Sequence, residues 1–186
     1  MQLSFSEELT RILSYAREEA HRTGHRAMGA DHVVLGILRH AGNRACTLLR
    51  DLDIDPAEFK LELDSLLFRD RPLQYQDPVV PHISLERMMS LAGYEALRCG
   101  SGCVSAIHLL LAASRDSGCC STGLLYSRGL DYDILRFEAE SRGLLRPESR
   151  EVQEIGRDEI EKTFGAVSDR LLSLYGTEGS NVKYLS

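Results

Sequence analysis

The sequence predicts an all-α fold built from two copies of one four-helix unit, and two observations predict it. The chain matches itself without gaps when shifted by 76 residues: between Leu9 and Glu62, 17 of 54 positions are identical to the residue 76 further on. Chance at ordinary composition gives about 3 or 4 such matches, and self-similarity at a fixed period marks a repeat. The identical pairs include Ala16/Ala92, Glu19-Ala20/Glu95-Ala96, Gly24/Gly100, His32/His108, Leu35/Leu111, Gly42/Gly118, Leu48-Leu49/Leu124-Leu125 and Asp55/Asp131. Within each copy, apolar residues recur at three- and four-residue intervals, with helix-capping and helix-stopping residues between the runs.

In the first copy, residues 6–23 place Leu9, Ile12, Leu13, Ala16 and Ala20 on one helix face. Gly24 ends that helix, because glycine accepts the left-handed conformation that a helix C-terminus favours, and Gly100 does the same in the second copy. The run from Asp31 to Leu38 is so apolar that its helix must be largely buried. Asn43 can cap a third helix carrying Ala45, Leu48, Leu49 and Leu52. Asp55-Pro56-Ala57-Glu58 supplies a cap and a proline at the first helical position for a fourth, with Phe59, Leu63, Leu66 and Leu67 inward. The second copy repeats this at 84–99, 106–116, 119–128 and 131–143.

The domain plan is a first repeat at 1–69, a linker at 70–82, a second repeat at 83–146 and an extension at 147–186. Pro72, Pro78 and Pro81 exclude a helix from the linker and predict extended chain. In the extension, Val152, Ile155, Ile160, Phe164, Val167, Leu171, Leu172 and Leu174 predict one more amphipathic helix, interrupted near Gly156 and Gly165. Residues 176–186 read as loose.

Composition narrows the function. With 22 Lys+Arg against 28 Asp+Glu the net charge is -6, which argues against a dedicated nucleic-acid binder and its basic stripe. Only Lys60, Lys162 and Lys183 are lysines; the arginines suit bidentate pairing that laces helix surfaces together. No apolar run approaches the roughly 18 residues of a membrane span, and the N-terminus carries acids where a signal peptide needs a basic start. No membrane partner is therefore expected, and a cytoplasmic location is. Five cysteines, an odd number with Cys119 and Cys120 adjacent, make a poor disulfide framework and agree with that compartment.

The pattern F-S-x-E-L-x-x-I-L-x-x-A-x-x-E-A-x-x-x-G-H from Phe5, followed by G-A-D-H-V-V-L-G-I-L from Gly29, resembles the N-terminal domain of Clp-type AAA+ ATPases, in particular the ClpC branch. In that family the opening helix starts on Phe-Thr and closes on Glu-Glu-Ala, and the second motif reads Gly-Thr-Glu-His-Ile-Leu-Leu-Gly-Leu. The resemblance covers about residues 3–143. It implies a non-catalytic module that docks adaptors or tagged clients for ATP-driven unfolding, with a Clp-type ATPase, its clients or its adaptors as partners. The ATPase modules themselves have no counterpart here: none of the three lysines follows the glycine-rich loop that cradles phosphates. Residues 147–186 do not resemble the start of such a module, so a free-standing adaptor or regulator is expected. No cofactor is expected, and neither a G-x-S-x-G elbow nor an H-E-x-x-H zinc pair suggests an enzyme.

The resemblance also nominates a substrate site. In some ClpC-like members the acid before the motif histidine contacts the guanidinium of phosphoarginine; here that position is Asp31, and Ser6 matches the hydroxyl of the opening helix. The second copy has Ile107 in place of the acid and His82 in place of the hydroxyl, so one of two sites is lost. A structural reading stands beside this one: Asp31 lies at a helix start, where aspartate caps well. His32 and His108 are expected as packed histidines bonded to backbone rather than as metal ligands, which need several close partners. Cys99, Cys103, His108, Cys119 and Cys120 could supply zinc ligands, but at spacings unlike the usual knuckles. They leave open a second reading, a small-ligand or metal-sensing domain that uses the diverged repeat.

Overall fold

The computed structural model describes residues 6–69, 71–147, 177–178 and 181–182. Eight α-helices carry it: α1 Glu7–Thr23, α2 Ala30–Arg39, α3 Arg44–Asp51, α4 Pro56–Leu67, α5 Ile83–Arg98, α6 Ala106–Ala113, α7 Cys120–Ser127 and α8 Tyr132–Ser141. The expected C-terminal helix and Phe5 lie outside the described residues. Near the end, where loose chain was expected, Thr177–Glu178 pairs antiparallel with Asn181–Val182.

The caps explain the boundaries. Ser6 Oγ accepts the Leu9 N–H at 3.0 Å and starts α1; Gly24, at φ 81°, ends it. Asn43 Oδ1 accepts the Cys46 N–H at 2.9 Å, and Asp55 Oδ1 accepts the Ala57 N–H ahead of Pro56. Asp131 caps α8 in the same way. In the second copy Cys99 is the cap of α5, and Gly100 follows it at φ 71°. Helix α6 stops at Ala113, three residues earlier than expected, because Ser114 turns back to bond the Leu111 carbonyl.

The two repeats cross rather than sit side by side. The buried helices α2 and α6 pack together at the centre, with α3 against α6 and, reciprocally, α7 against α2. The helix starts are exchanged as well. The Ala30 N–H donates to Ser84 Oγ (3.1 Å), and its counterpart 76 residues on, the Ala106 N–H, donates to Glu8 Oε2 (3.0 Å). Likewise the His82 N–H donates to the Met28 carbonyl (2.9 Å) and the Ser6 hydroxyl to the Val104 carbonyl (3.4 Å). A side chain at Gly29 would meet the Ser84 hydroxyl at 2.7 Å, which is why this crossing takes a glycine. Residues 71–82 pass a turn at Gln74–Asp77 and then pair in parallel, Val80 and Pro81 beside Ala27 and Met28.

The core runs through both repeats, with Leu9, Ile12, Leu35 and Phe59 joined to Met89, Ile107, Leu111 and Leu135. Its tightest contact is α1 on α2, where a Cβ on Gly36 would fall 2.5 Å from the Ile12 carbonyl oxygen. Gly36→Ala should therefore cost about 1–3 kcal/mol by overpacking. The matching position is already alanine, and Ala112→Gly should cost no more than about 1 kcal/mol. Urea unfolding of the two variants measures both.

Each repeat also holds one fully buried acid. Glu19 is 2% exposed and receives Arg22 (2.6 Å), Lys60 (3.6 Å) and Arg39 (3.7 Å). Glu95 is 0% exposed and receives Arg136, Arg115 (3.5 Å) and the Tyr132 hydroxyl (2.6 Å). Arg39/Arg115 and Lys60/Arg136 are 76-residue equivalents, so the duplicated unit carries a duplicated ion cluster. Arg39 also stacks over the Tyr15 ring at 4.5 Å.

Candidate docking site at the repeat boundary

Asp31 is the second residue of α2, whose own cap is Gly29. Its carboxylate therefore does not cap its own helix. It reaches across the repeat boundary to the N-terminus of α7, accepting the Cys120 N–H (3.0 Å), the Ser121 N–H (2.9 Å) and the Ser121 hydroxyl (2.6 Å). The reason is legible in the pair of copies. Asn43 caps α3 from within, but its counterpart Cys119 makes no side-chain cap bond to α7. Repeat one supplies the missing cap, and an anion at a helix N-terminus also meets the helix dipole favourably. Conversely α3 needs no outside cap, and Ile107, the counterpart of Asp31, is buried in the core at 0% exposure.

The structure does not bring Ser6 and Asp31 together. Because the helix starts are exchanged, Ser6 lies against Val104, at the entry to the helix that carries Ile107. Asp31 instead shares a cavity of about 390 Å³ with His25, Gly29, His82, Ser84, Arg69 and Arg87. Sequence reasoning paired the two residues within one copy; the crossing pairs each with the other copy. A second cavity of about 720 Å³ lies between α5 and the end of α6, and Ile83, Arg87 and Asp116 line both. Together they form a trough that starts at the repeat boundary and runs onto repeat two, apolar at Ile83, Met88, Leu91 and Ala112 and charged along its edge.

The histidines are packed. His32 Nδ1 accepts the Gly29 N–H at 3.0 Å and His108 Nδ1 accepts the Ser105 N–H at 3.1 Å, while both Nε2 atoms are buried without a partner. Burial holds His32 neutral down to about 3 and His108 down to about 4. Between pH 6.5 and about 4 the unfolded chain gains two protons that the folded chain refuses, so stability is full above pH 6.5 and falls on acidification. The expected slope approaches about 1.4 kcal/mol per pH unit for each histidine. Urea unfolding at pH 7 and pH 5 measures it, and a His108→Gln variant should lose about half of this dependence.

Among the described residues no group of three or more His, Cys, Asp or Glu converges as metal ligands do. All five cysteines are free thiols. Burial, with Asp31 and Asp116 beside it, pushes the Cys119 thiol up to about 12, and burial and Asp31 push Cys120 up as well. A helix N-terminus ordinarily favours a thiolate; the Asp31 carboxylate already occupies that role here. No described helix is long and apolar enough to cross a membrane.

The fold defines a class: a crossed, two-repeat helical module with an apolar, charge-edged trough on its surface. The family profile for the Clp repeat (R) N-terminal domain matches residues 4–124, and the chain belongs to that family. It is 26% identical over 132 residues to the negative regulator of genetic competence ClpC/MecB of Bacillus subtilis (strain 168), covering 71% of this chain and 16% of that protein. It is also 26% identical over 133 residues to the chloroplastic chaperone protein ClpC1 of Oryza sativa subsp. japonica, covering 71% and 14%. The chain thus matches only about a seventh of the length of these relatives. Among solved structures, the Hsp104 N-terminal domain from Candida albicans aligns at TM-score 0.61 and 18% identity, over 75% of this chain and 92% of that one. A protein of a malarial secretion system aligns at TM-score 0.65 and 19% identity, over 75% and 94%. These two likenesses establish the all-α fold.

Proposed function

We propose that the chain is a docking module that holds a client or adaptor polypeptide for a Clp-type ATPase, acting in the cytoplasm, and that the trough at the repeat boundary is its binding surface. One observation carries this: the trough joins two cavities through shared residues, with Ile83 half-exposed at the junction. An apolar floor rimmed by charge is how peptide-binding grooves gain affinity and register. Asp31 fixes one wall of the trough by tying α2 to α7, while Ser6 belongs to the reciprocal crossing, against Val104. Phosphoarginine recognition by Asp31 would have to compete with three hydrogen bonds it already accepts. For the alternative, a small-ligand or metal-sensing domain using the diverged repeat, no group of three or more His, Cys, Asp or Glu converges among the described residues.

A photo-cross-linking residue at Ile83, compared with the same residue at Ile134 on α8, tests the surface. With reduced, carboxymethylated lactalbumin as an unfolded client, or with a purified Clp ATPase, the docking reading expects adducts at position 83 and few at 134. Equal yields at both positions, or none at either, would refute it.

A further inference from the structure

We propose that His21 is a proton-dependent clip: its doubly protonated ring ties the strap at residues 71–82 to α1, and the strap loosens when the ring gives a proton up to solvent.

The geometry decides the charge of the ring. His21 is 6% exposed, and both of its nitrogens meet main-chain carbonyls, Nδ1 at 2.9 Å from the Arg17 oxygen and Nε2 at 2.9 Å from the Asp77 oxygen. A carbonyl only accepts, so both bonds form only when each nitrogen carries a hydrogen, and that ring is an imidazolium. A neutral ring keeps one bond and turns a bare lone pair on the other oxygen. Histidine is also the side chain whose ordinary charge change falls between about pH 5 and 8, so the proton is the removable part of the clip.

The strap depends on this one residue at both ends of its turn. Pro72 and Pro78 have no N–H to give, and the turn between them is closed on itself: Gln74 N–H donates to Asp77 Oδ2 and Asp77 N–H to the Gln74 carbonyl, each at 2.9 Å. Ahead of the turn the Leu73 N–H donates to the His21 carbonyl (2.8 Å); after it the His21 ring reaches Asp77. Tyr75 stacks on the imidazole at 5.9 Å, and the Arg17 guanidinium lies 6.0 Å from the Tyr75 ring centre. The charged and titratable groups set beside the ring are therefore Arg17 on α1 and Tyr75 and Asp77 on the strap. Arg22, one residue on in α1, is spent on Glu19 and Asp64.

The duplication singles the clip out. The residue 76 positions after His21 is Leu97, so the repeated unit itself has no need of a polar ring there. What the strap leads to gives the clip its consequence. Past Asp77 it pairs Val80 and Pro81 beside Ala27 and Met28, then supplies His82 and Ile83, which line the boundary cavity with Gly29. The clip sets how firmly that wall is held, with both bonds present on the acid side and one lost as pH rises. This is local, and opposite in sign to the whole-fold effect of His32 and His108, which refuse protons. It does not depend on the docking reading.

The test uses the full chain with ¹⁵N-labelled histidine, read between about pH 5.5 and 8.5. Long-range ¹H–¹⁵N spectra should show both His21 nitrogens protonated at the acid end and one at the alkaline end. In step with the ring, protection of the Leu73 and Val80 amides from hydrogen exchange, corrected for the intrinsic rate, should fall about tenfold or more, the worth of one hydrogen bond to a charged group. His21→Leu, which puts in the residue of repeat two, should leave both amides weakly protected at every pH while the helical circular dichroism is unchanged. Tyr75→Leu removes the stack but neither bond, and should keep the pH dependence. A single protonated nitrogen at the acid end, amide protection that ignores the charge of the ring, or a dependence that survives in His21→Leu would each overturn the proposal.

Discussion

Glu95→Ala should be the most damaging single substitution in the described chain. It leaves the Arg136 and Arg115 guanidinium groups and the Tyr132 hydroxyl facing a hole that is 0% exposed to solvent. Removing one partner of a buried ion cluster costs about 3–5 kcal/mol, because the remaining charges keep their desolvation penalty and lose its compensation. For a chain of this size that is a drop on the order of 10 °C in melting temperature. The cluster also tells how to attribute the loss. In the Glu95→Ala background, Arg136→Met should cost much less than it does alone, since the charge it removes no longer has a partner. Additive costs would show that the effect is only a cavity left in the helix packing.

Asp31→Ala should come next, at about 2 kcal/mol, for the loss of two backbone bonds and one hydroxyl bond that together cap α7. Its signature is rescue. Cys119→Asn would give α7 the internal cap that Asn43 gives α3, and should restore most of the loss in the Asp31→Ala protein while adding little to the wild type. Thermal unfolding of the four proteins in this cycle measures the coupling. Without rescue, Asp31 would not be acting through the N-terminus of α7. Any client-binding defect of Asp31→Ala should likewise shrink when Cys119→Asn is added, because the carboxylate shapes the trough by holding α7.

The helices and their caps were legible because they depend on neighbours in sequence. Asn43, Asp55-Pro56 and Gly24 each act within their own turn, and the 76-residue match exposed the duplication directly. What lay beyond the sequence was the crossing of the two copies. Local pattern assigns Ser6 and Asp31 to one repeat; only the exchange of helix starts, seen in the Ala30–Ser84 and Ala106–Glu8 bonds, separates them. The role of Asp31 depends on a residue 88 positions away, Cys119, having lost its capping ability. A trace of this was present, because the second copy has lost both the acid, at Ile107, and the cap asparagine, at Cys119, so the one acid that remains faces the one helix that lacks its own cap. The Glu19 and Glu95 clusters left a similar trace: charged identities at Glu19/Glu95 and Arg39/Arg115 recur where a solvated surface has no reason to preserve them.

The central claim is that another polypeptide binds along the trough that begins at the repeat boundary. The most direct measurement is to titrate the isotopically labelled chain with an unfolded polypeptide, such as reduced, carboxymethylated lactalbumin, and follow the backbone amide signals by NMR. The account predicts shifts concentrated at Ile83, Arg87, Leu91, Asp116 and Cys119, with α3 and α8 largely unmoved. Shifts centred on α3 and α8, or none at saturating polypeptide, would contradict it.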